Sequence, residues 1–421
     1  MEKITAVKGM QDIYQPEVRL WQHIESLIRS EMNTFAYGEI RTPIIEKTEL
    51  FVRGVGDGTD IVKKEMYTFN DKGERSVTMR PEGTASVVRA INEHNLLNSG
   101  EPVSKFYYIG PMFRYERPQK GRLRQFYQFG VECYGSESPF IDAEVIQILY
   151  NILSKLGLSD ICVKLNSIGC PECRPVFRQS AEKYFSGIKE KLCGECNERI
   201  SSNPLRIYDC KTPSCKENTE GAPVILQHLC PDCSGHFEKV KAALDSIGIP
   251  FVVDSRLVRG LDYYTRTAFE VTSKHLGAQD ALGGGGRYDN LVSELGGPKT
   301  PAIGFAMGLE RVVIAIKNQK AEPDFAGGCR AYVIPLSRNE SGYAFKLLNA
   351  LRKANIPSQM AVSEKKAGAH FKDAEKLGAD FAVIIGEDEI KNGALTVKDL
   401  KNRSQKSVSE SELAEYIKGS N

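Results

Sequence analysis

The chain of 421 residues carries little net charge, and it lacks both a long apolar run and the commonest phosphate-binding loop. Each absence removes a class of function. Its 56 lysines and arginines face 54 acids, for a formal charge of +2. Any nucleic-acid surface must then be a local basic patch offset by acidic ground elsewhere. No stretch approaches the roughly 20 apolar residues that cross a bilayer. The opening residues, MEKITAVKGMQDIY, have no apolar core of the kind a secretory signal needs. A cytoplasmic location with no membrane partner is therefore expected. GxxxxGK[ST] occurs nowhere, which argues against an ordinary P-loop nucleotide site.

What is present is ordinary in bulk and unusual in places. A hydrophobic content of 41% and a charged content of 26% suit a globular chain, and the length suits two or three domains. In a reducing compartment the 11 cysteines read as thiols or metal ligands before disulfides. The chain is organised around Tyr108–Gly135, two aromatic, strand-like runs joined by a charged loop. Five basic residues stand between Arg114 and Arg124 (Arg114, Arg117, Lys120, Arg122, Arg124), with one acid, Glu116. Pro118 and Gly121 mark the turn. Such a loop repels itself unless an anion lies against it, and phosphate suits the guanidinium fork. A solvated hairpin with a charged tip is the alternative. Strand alternation puts Gln128, Gly130 and Glu132 on one face, where the glycine leaves room for a flat ligand.

Earlier in the chain, Val18, Trp21, Ile24, Leu27 and Ile28 recur at helical spacing. Tyr37 to Thr42 alternates like a strand stopped by Pro43, and Gly54, Gly56 and Gly58 suggest a flexible loop. Arg80, Glu82 and Thr84 fall where a strand meets a helix start. There Glu82 either caps the helix or binds an ammonium group. Asp142 to Leu156 predicts a helix ended by Gly157. Four close cysteine pairs follow: Cys170 with Cys173, Cys193 with Cys196, Cys210 with Cys215, and Cys230 with Cys233. Eight thiols suffice for two tetrahedral zinc sites of a closed, structural kind. Reduced thiols and redox use stay open as alternatives. The run Gly283–Gly286, flanked by Leu282 and Arg287-Tyr288, favours close backbone approach to a ligand over a flexible linker. Arg311 in the first turn of a helix opposes the dipole, which is easiest to explain if it reaches an anion. After a linker over 317–327 the pattern becomes βαβαβ, with Phe381–Ile385 a strand covered on both faces.

These motifs carry a resemblance. GPMFRYERPQKGRLRQF resembles motif 2 of class II aminoacyl-tRNA synthetases, and GFAMGLERV resembles their motif 3. LVRGLDYYTRTAFE and GGGGRYDNL are similar to two histidine-specific motifs of the histidyl-tRNA synthetases. The resemblance implies an α+β fold: a six-stranded antiparallel sheet flanked by helices over residues 1–325, a cysteine-rich insertion at 170–245 lying over the tRNA acceptor arm, and an α/β anticodon-binding domain at 328–421. It implies a ligase that uses ATP and Mg²⁺ to activate L-histidine as histidyl-adenylate, then passes it to the 3′ end of tRNA-His. It further implies a homodimer built through about residues 13 to 50.

By the same resemblance, Arg259 and Arg114 are the catalytic residues, and Arg114, Glu116, Arg259 and Arg311 hold ATP. Glu82, Thr84 and Gln128 hold the α-amino end of histidine; Glu132, Tyr264 and Tyr288 read its imidazole. Arg117, Gln119 and Arg122 meet the tRNA acceptor end. The eight paired cysteines depart from the general family pattern. Two rival readings remain. A non-catalytic, histidine-sensing regulatory subunit of ATP phosphoribosyltransferase is expected to lose Arg259 or the anticodon domain, and this chain keeps both. A zinc-dependent nucleic-acid-binding protein leaves the arginine and tyrosine patches unexplained.

Overall fold

The computed structural model describes residues 3–56, 59–98, 102–261, 263–277, 280–323, 328–363 and 365–419. Gly58, Asp262 and the linker residues 324–327 lie outside the described residues. The chain divides into two compact units, Met1–Pro323 and Asp324–Asn421.

The first unit is built on an eight-stranded sheet. Its spatial order is Gly38–Glu39, Ser104–Phe113, Gln125–Tyr134, Ala302–Gly308, Ala281–Arg287, Thr265–Ser273, Ile161–Ser167 and Phe251–Val253. The inner six strands are antiparallel throughout. The expected six-stranded sheet is thus extended at each edge by a short parallel strand. The strand expected over Tyr37–Thr42 shrinks to Gly38–Glu39, where the chain runs beside Phe106 and Tyr107. The helix Pro139–Lys155 packs on the sheet through Val145, Ile148, Leu149 and Ile152, all fully buried. It begins at Pro139, three residues ahead of the expected Asp142, because Ser138 and Pro139 supply a cap and a preset first residue.

Glycines set how closely the strands and their side chains approach. A Cβ on Gly285 would fall 1.9 Å from the Gly304 carbonyl oxygen, and one on Gly130 would fall 2.1 Å from the Tyr108 ring. This corrects two expectations. The space over Gly130 holds Tyr108, not a ligand, and the run Gly283–Gly286 is first an answer to crowding between strands. Gly54 is likewise no loop residue. It lies in the helix Thr48–Val55, where a side chain would press on Ala85. Arg80 joins a small three-stranded sheet (Ile45–Lys47, Ser76–Met79, Tyr67–Asn70) to the hairpin. It donates to the carbonyls of Pro111 and Thr42 at 2.9 and 3.0 Å.

In the second unit the sheet order is Ser358–Met360, Ala331–Pro335, Phe381–Ile385, Ala394–Asp399 and Ser404–Ser409. The first three strands are parallel, and the last two close an antiparallel hairpin. That hairpin and the helix Leu413–Gly419 extend the expected βαβαβ. Leu395, Val397, Val408, Leu413 and Ile417 fill the core against the helix Ser341–Lys353. The helix Leu309–Gln319 of the first unit takes in residues 317–319 of the expected linker.

The glycine crowding makes a direct prediction. Gly285→Ala should lower the stability of the first unit by about 3 kcal/mol through forced strand separation. Gly187→Ala meets open space and should change it by less than about 1 kcal/mol. Urea unfolding of the two variants beside the parent protein checks the contrast.

Candidate active site and two thiol quartets

The deep end of the site is a buried carboxylate system. Glu132 is fully buried on the second hairpin strand. It accepts the Thr84 hydroxyl at 2.7 Å and the Tyr288 hydroxyl on its other oxygen. Burial pushes its pKa up to about 8, against the pull of those two hydrogen bonds. Glu82 accepts the backbone N–H groups of Thr84 and Ala85, each at 2.8 Å, and so caps the helix Thr84–His94. Burial raises its pKa as well. The capping reading of Glu82 is therefore realised, and the carboxylate still acts electrostatically on Glu132 and Tyr264. Two polar atoms here are buried without a partner: Gln128 Oε1 and the Tyr108 hydroxyl. A buried acceptor left unpaired in this way marks where a donor is missing.

The other end is cationic. Arg259 pairs with Glu270 at 2.9 Å and lies over the Tyr264 ring, 5.9 Å from its centroid. Its side chain is 19% exposed, and its Nε is buried and unpartnered. Room for it comes from Gly284, where a Cβ would sit 2.7 Å from Arg259 Nη1. Arg114 donates to the Pro81 carbonyl at 2.8 Å and lies over Phe126. Arg311 donates to the carbonyls of Ala281 at 2.7 Å and Gly121 at 3.3 Å. Its cation is thus taken up by backbone oxygens at the head of the glycine strand and at the loop turn. Arg122, Glu116, Glu270 and Arg114 all act electrostatically on Arg311. In the loop, Arg122 pairs with Glu116 at 3.3 Å, while Arg117 and Gln119 are exposed at its tip.

The structure thus draws Glu82, Thr84, Glu132, Tyr264 and Tyr288 together at one end and Glu116, Arg122, Arg259 and Arg311 at the other, with Arg114 acting on both Glu82 and Arg311 and Arg259 over Tyr264 at the join. Gln128 stands farther along the hairpin strand, paired with Gly110 and Gly308. Sequence reasoning missed the support beneath them. Arg287 is 0% exposed and pairs with Asp142 at 2.7 Å. It also donates to the Ser136 carbonyl at 3.0 Å and to Asp289 at 3.2 Å. Asp142 further accepts the Thr267 hydroxyl at 2.6 Å and lies 2.7 Å from His236 Nε2. The only signal for this network was Arg287 beside the glycine run, because Asp142 and Ser136 stand 145 and 151 residues away from it.

The eight paired cysteines resolve into two groups: Cys170, Cys173, Cys230 and Cys233, and Cys193, Cys196, Cys210 and Cys215. In each, the four sulfurs lie within 4.8 Å of one another.

Comparison with known proteins gives a consistent result. A family model described as histidyl-tRNA synthetase matches residues 9–172 and 223–312, and an anticodon binding domain model matches 330–420. The histidine–tRNA ligase of Desulforamulus reducens is 50% identical over 414 residues, covering 98% of this chain and 99% of its own. That of Moorella thermoacetica is 49% identical over 411 residues, covering 98% and 97%. The crystal structure of apo Staphylococcus aureus histidyl-tRNA synthetase superposes with a TM-score of 0.84 at 37% identity, covering 99% of this chain and 100% of that one.

Glu132 makes stability depend on pH in a stated direction. The folded protein keeps its proton up to about pH 8, while the unfolded chain releases it near the ordinary value of 4.5. Between those values the unfolded state binds fewer protons, so this group lowers stability as pH rises. Glu132→Gln cannot titrate. Its stability relative to the parent should improve from about pH 5 to about pH 8, by on the order of a few kcal/mol. Urea midpoints of both proteins at the two pH values measure this; a flat or falling difference would contradict it.

Proposed function

We propose how these residues share the work from one premise, that the chain belongs to the histidyl-tRNA synthetase family. The activity is that of a histidine–tRNA ligase, an aminoacyl-tRNA synthetase reaction. The reading as a regulatory subunit is not the one its relatives favour. Family membership brings ATP and Mg²⁺, histidine and tRNA, and the second unit is an anticodon-binding domain.

Attack of the histidine carboxylate on the α-phosphorus of ATP brings two anions together, and positioned cations must offset that repulsion. The observation that carries the proposal is Arg259. Its side chain lies against Gly284, over the Tyr264 ring and beside Glu270, and in this reading it meets both carboxylate and α-phosphate. Arg114 holds the α-phosphate, and Arg311 the far end of the triphosphate. Arg311 and Arg259 then exchange their present partners, backbone oxygens and Glu270, for phosphate oxygens. No general base is needed, since the attacking carboxylate is already ionised. Mg²⁺, where bound, would be held by one or two carboxylates at this end and would supply charge neutralisation at the leaving pyrophosphate. Glu270 and Glu116 are the carboxylates at that end and fit the role.

The ammonium of histidine lies against Glu82, the Thr84 hydroxyl and Gln128 Oε1, which supplies the partner that buried oxygen lacks. Glu132, Tyr264 and Tyr288 read the imidazole. Side chains without ring nitrogens leave those buried groups unpaired, which is how the site rejects them. Arg117, Gln119 and Arg122 face the acceptor end of tRNA-His, Arg122 once Glu116 releases it. A homodimer forms through about residues 13 to 50, a span that leaves Tyr14, Ile44 and Ile45 exposed. The two thiol quartets hold zinc in a structural role. Among the described residues no helix is long and apolar enough to cross a membrane.

Histidine-dependent exchange of pyrophosphate into ATP tests this directly. The parent protein should show exchange, and Arg259→Ala should lose about a hundredfold to a thousandfold of it. Intact parent protein without exchange would remove the reading.

A further inference from the structure

We infer that the chain binds two zinc ions with unequal duties. The ion at Cys170, Cys173, Cys230 and Cys233 positions the wall of the amino-acid pocket; the ion at Cys193, Cys196, Cys210 and Cys215 holds the insertion's core together. The second half of this inference rests on the pocket assignment above, whereas the metal sites themselves do not.

The sulfur geometry carries the metal assignment. Zinc bonded to four thiolates at about 2.3 Å in a tetrahedron sets the sulfurs ~3.8 Å apart. Cys170 and Cys173 are 3.6 Å apart, Cys170 and Cys230 are 3.9 Å apart, and Cys193 and Cys210 are 3.9 Å apart. Disulfides would need about 2.05 Å. Each quartet also receives a backbone N–H on a sulfur, Cys230 N to Cys173 and Cys193 N to Cys215, both at 3.1 Å. Such bonds stabilise a metal-bound thiolate. Four thiolates fill a tetrahedron, so neither ion has an open position for chemistry.

The quartets differ in what they touch. Cys170 and Cys173 stand where the chain leaves the sheet, just beyond the strand Ile161–Ser167, and Cys230 and Cys233 where it returns in the helix Pro231–Ser246. Two side chains run from this root to the pocket. Arg174, next to Cys173, donates to the Ile168 carbonyl and to the Tyr264 carbonyl. His236, one turn along from Cys233, contacts Asp142, the partner of Arg287, and Arg287 directly precedes Tyr288. The root therefore fixes the backbone of one imidazole reader and the support of the other. The second quartet sits in the insertion's own core with Phe177, Phe185, Ile200, Ile207 and Tyr208. That core meets the sheet unit through Val258 and Arg256, ahead of Arg259, and among the described residues its contacts reach neither Tyr264 nor Tyr288. It lies wholly within 173–222, the stretch the synthetase family model leaves unmatched.

Full-length protein purified without added zinc tests the first half by elemental analysis and cobalt substitution. Two zinc ions per folded chain are expected, with cobalt giving tetrahedral thiolate spectra. Iron in place of zinc, disulfides, or well under one zinc per active chain would overturn it. Cys170→Ser and Cys193→Ser should each lose one ion. Cys170→Ser should raise the KM for histidine about tenfold in pyrophosphate exchange while moving the KM for ATP little. Cys193→Ser should move the histidine KM far less. If Cys170→Ser does not fold, Arg174→Ala serves instead. It should keep both zinc ions and raise the histidine KM, with partial rescue by Arg174→Lys. Equal shifts from the two cysteine variants, or no shift from Arg174→Ala, would overturn the division of duties. Parent activity in the same assay separates those outcomes from a failure of the enzyme reading.

Discussion

The pairing of Arg287 with Asp142 governs the architecture. Both side chains are fully buried, and removing either would strand a charge at a cost of about 3 to 5 kcal/mol. The remaining hydrogen-bonding capacity of the pair is spent on neighbouring elements. Through it the end of the second hairpin strand, the glycine strand, the strand Thr265–Ser273 and two helices are held at fixed distances. Tyr288 follows Arg287 directly, so its hydroxyl arrives at Glu132 with little freedom to wander. A precise pocket needs its first contacts backed in this manner, because side chains held only by themselves do not keep their geometry.

The site joins two environments that would each be unfavourable alone. Glu132 and Glu82 lie close together in a dry region, and burial drives both toward their neutral forms. A short distance away three guanidinium groups converge, partly satisfied by backbone oxygens and by Glu270. An overall charge of +2 conceals this separation of buried carboxyl groups from guanidinium groups.

Much of this was legible in the sequence, for identifiable reasons. The hairpin, the glycine run, the arginines and the cysteine pairs are local patterns, and local patterns survive in one dimension. The pairing of thiols was not legible, because Cys170 joins Cys230 across 60 residues. Nor was the Arg287 network, for the same reason. Gly130 misled because a missing side chain signals space without saying what fills it, and here Tyr108 does. The edge strand Phe251–Val253 was missed, and the one expected over Tyr37–Thr42 came out shorter, because two or three residues of parallel pairing leave almost no periodicity to read. Glu82 caps the helix start, each of its oxygens accepting a backbone N–H, a role that leaves its charge free to act on a ligand as well.

The two ends of the cysteine-rich insertion meet at Cys170 and Cys230, whose sulfurs are 3.9 Å apart. A segment that leaves and re-enters at one point imposes only a loop-closure entropy on the scaffold, and that grows slowly, by about 0.6 kcal/mol for each doubling of length. Beyond the contacts that Arg174 and Thr219 make with Tyr264 and Arg256, a change of length between those ends therefore costs the sheet little.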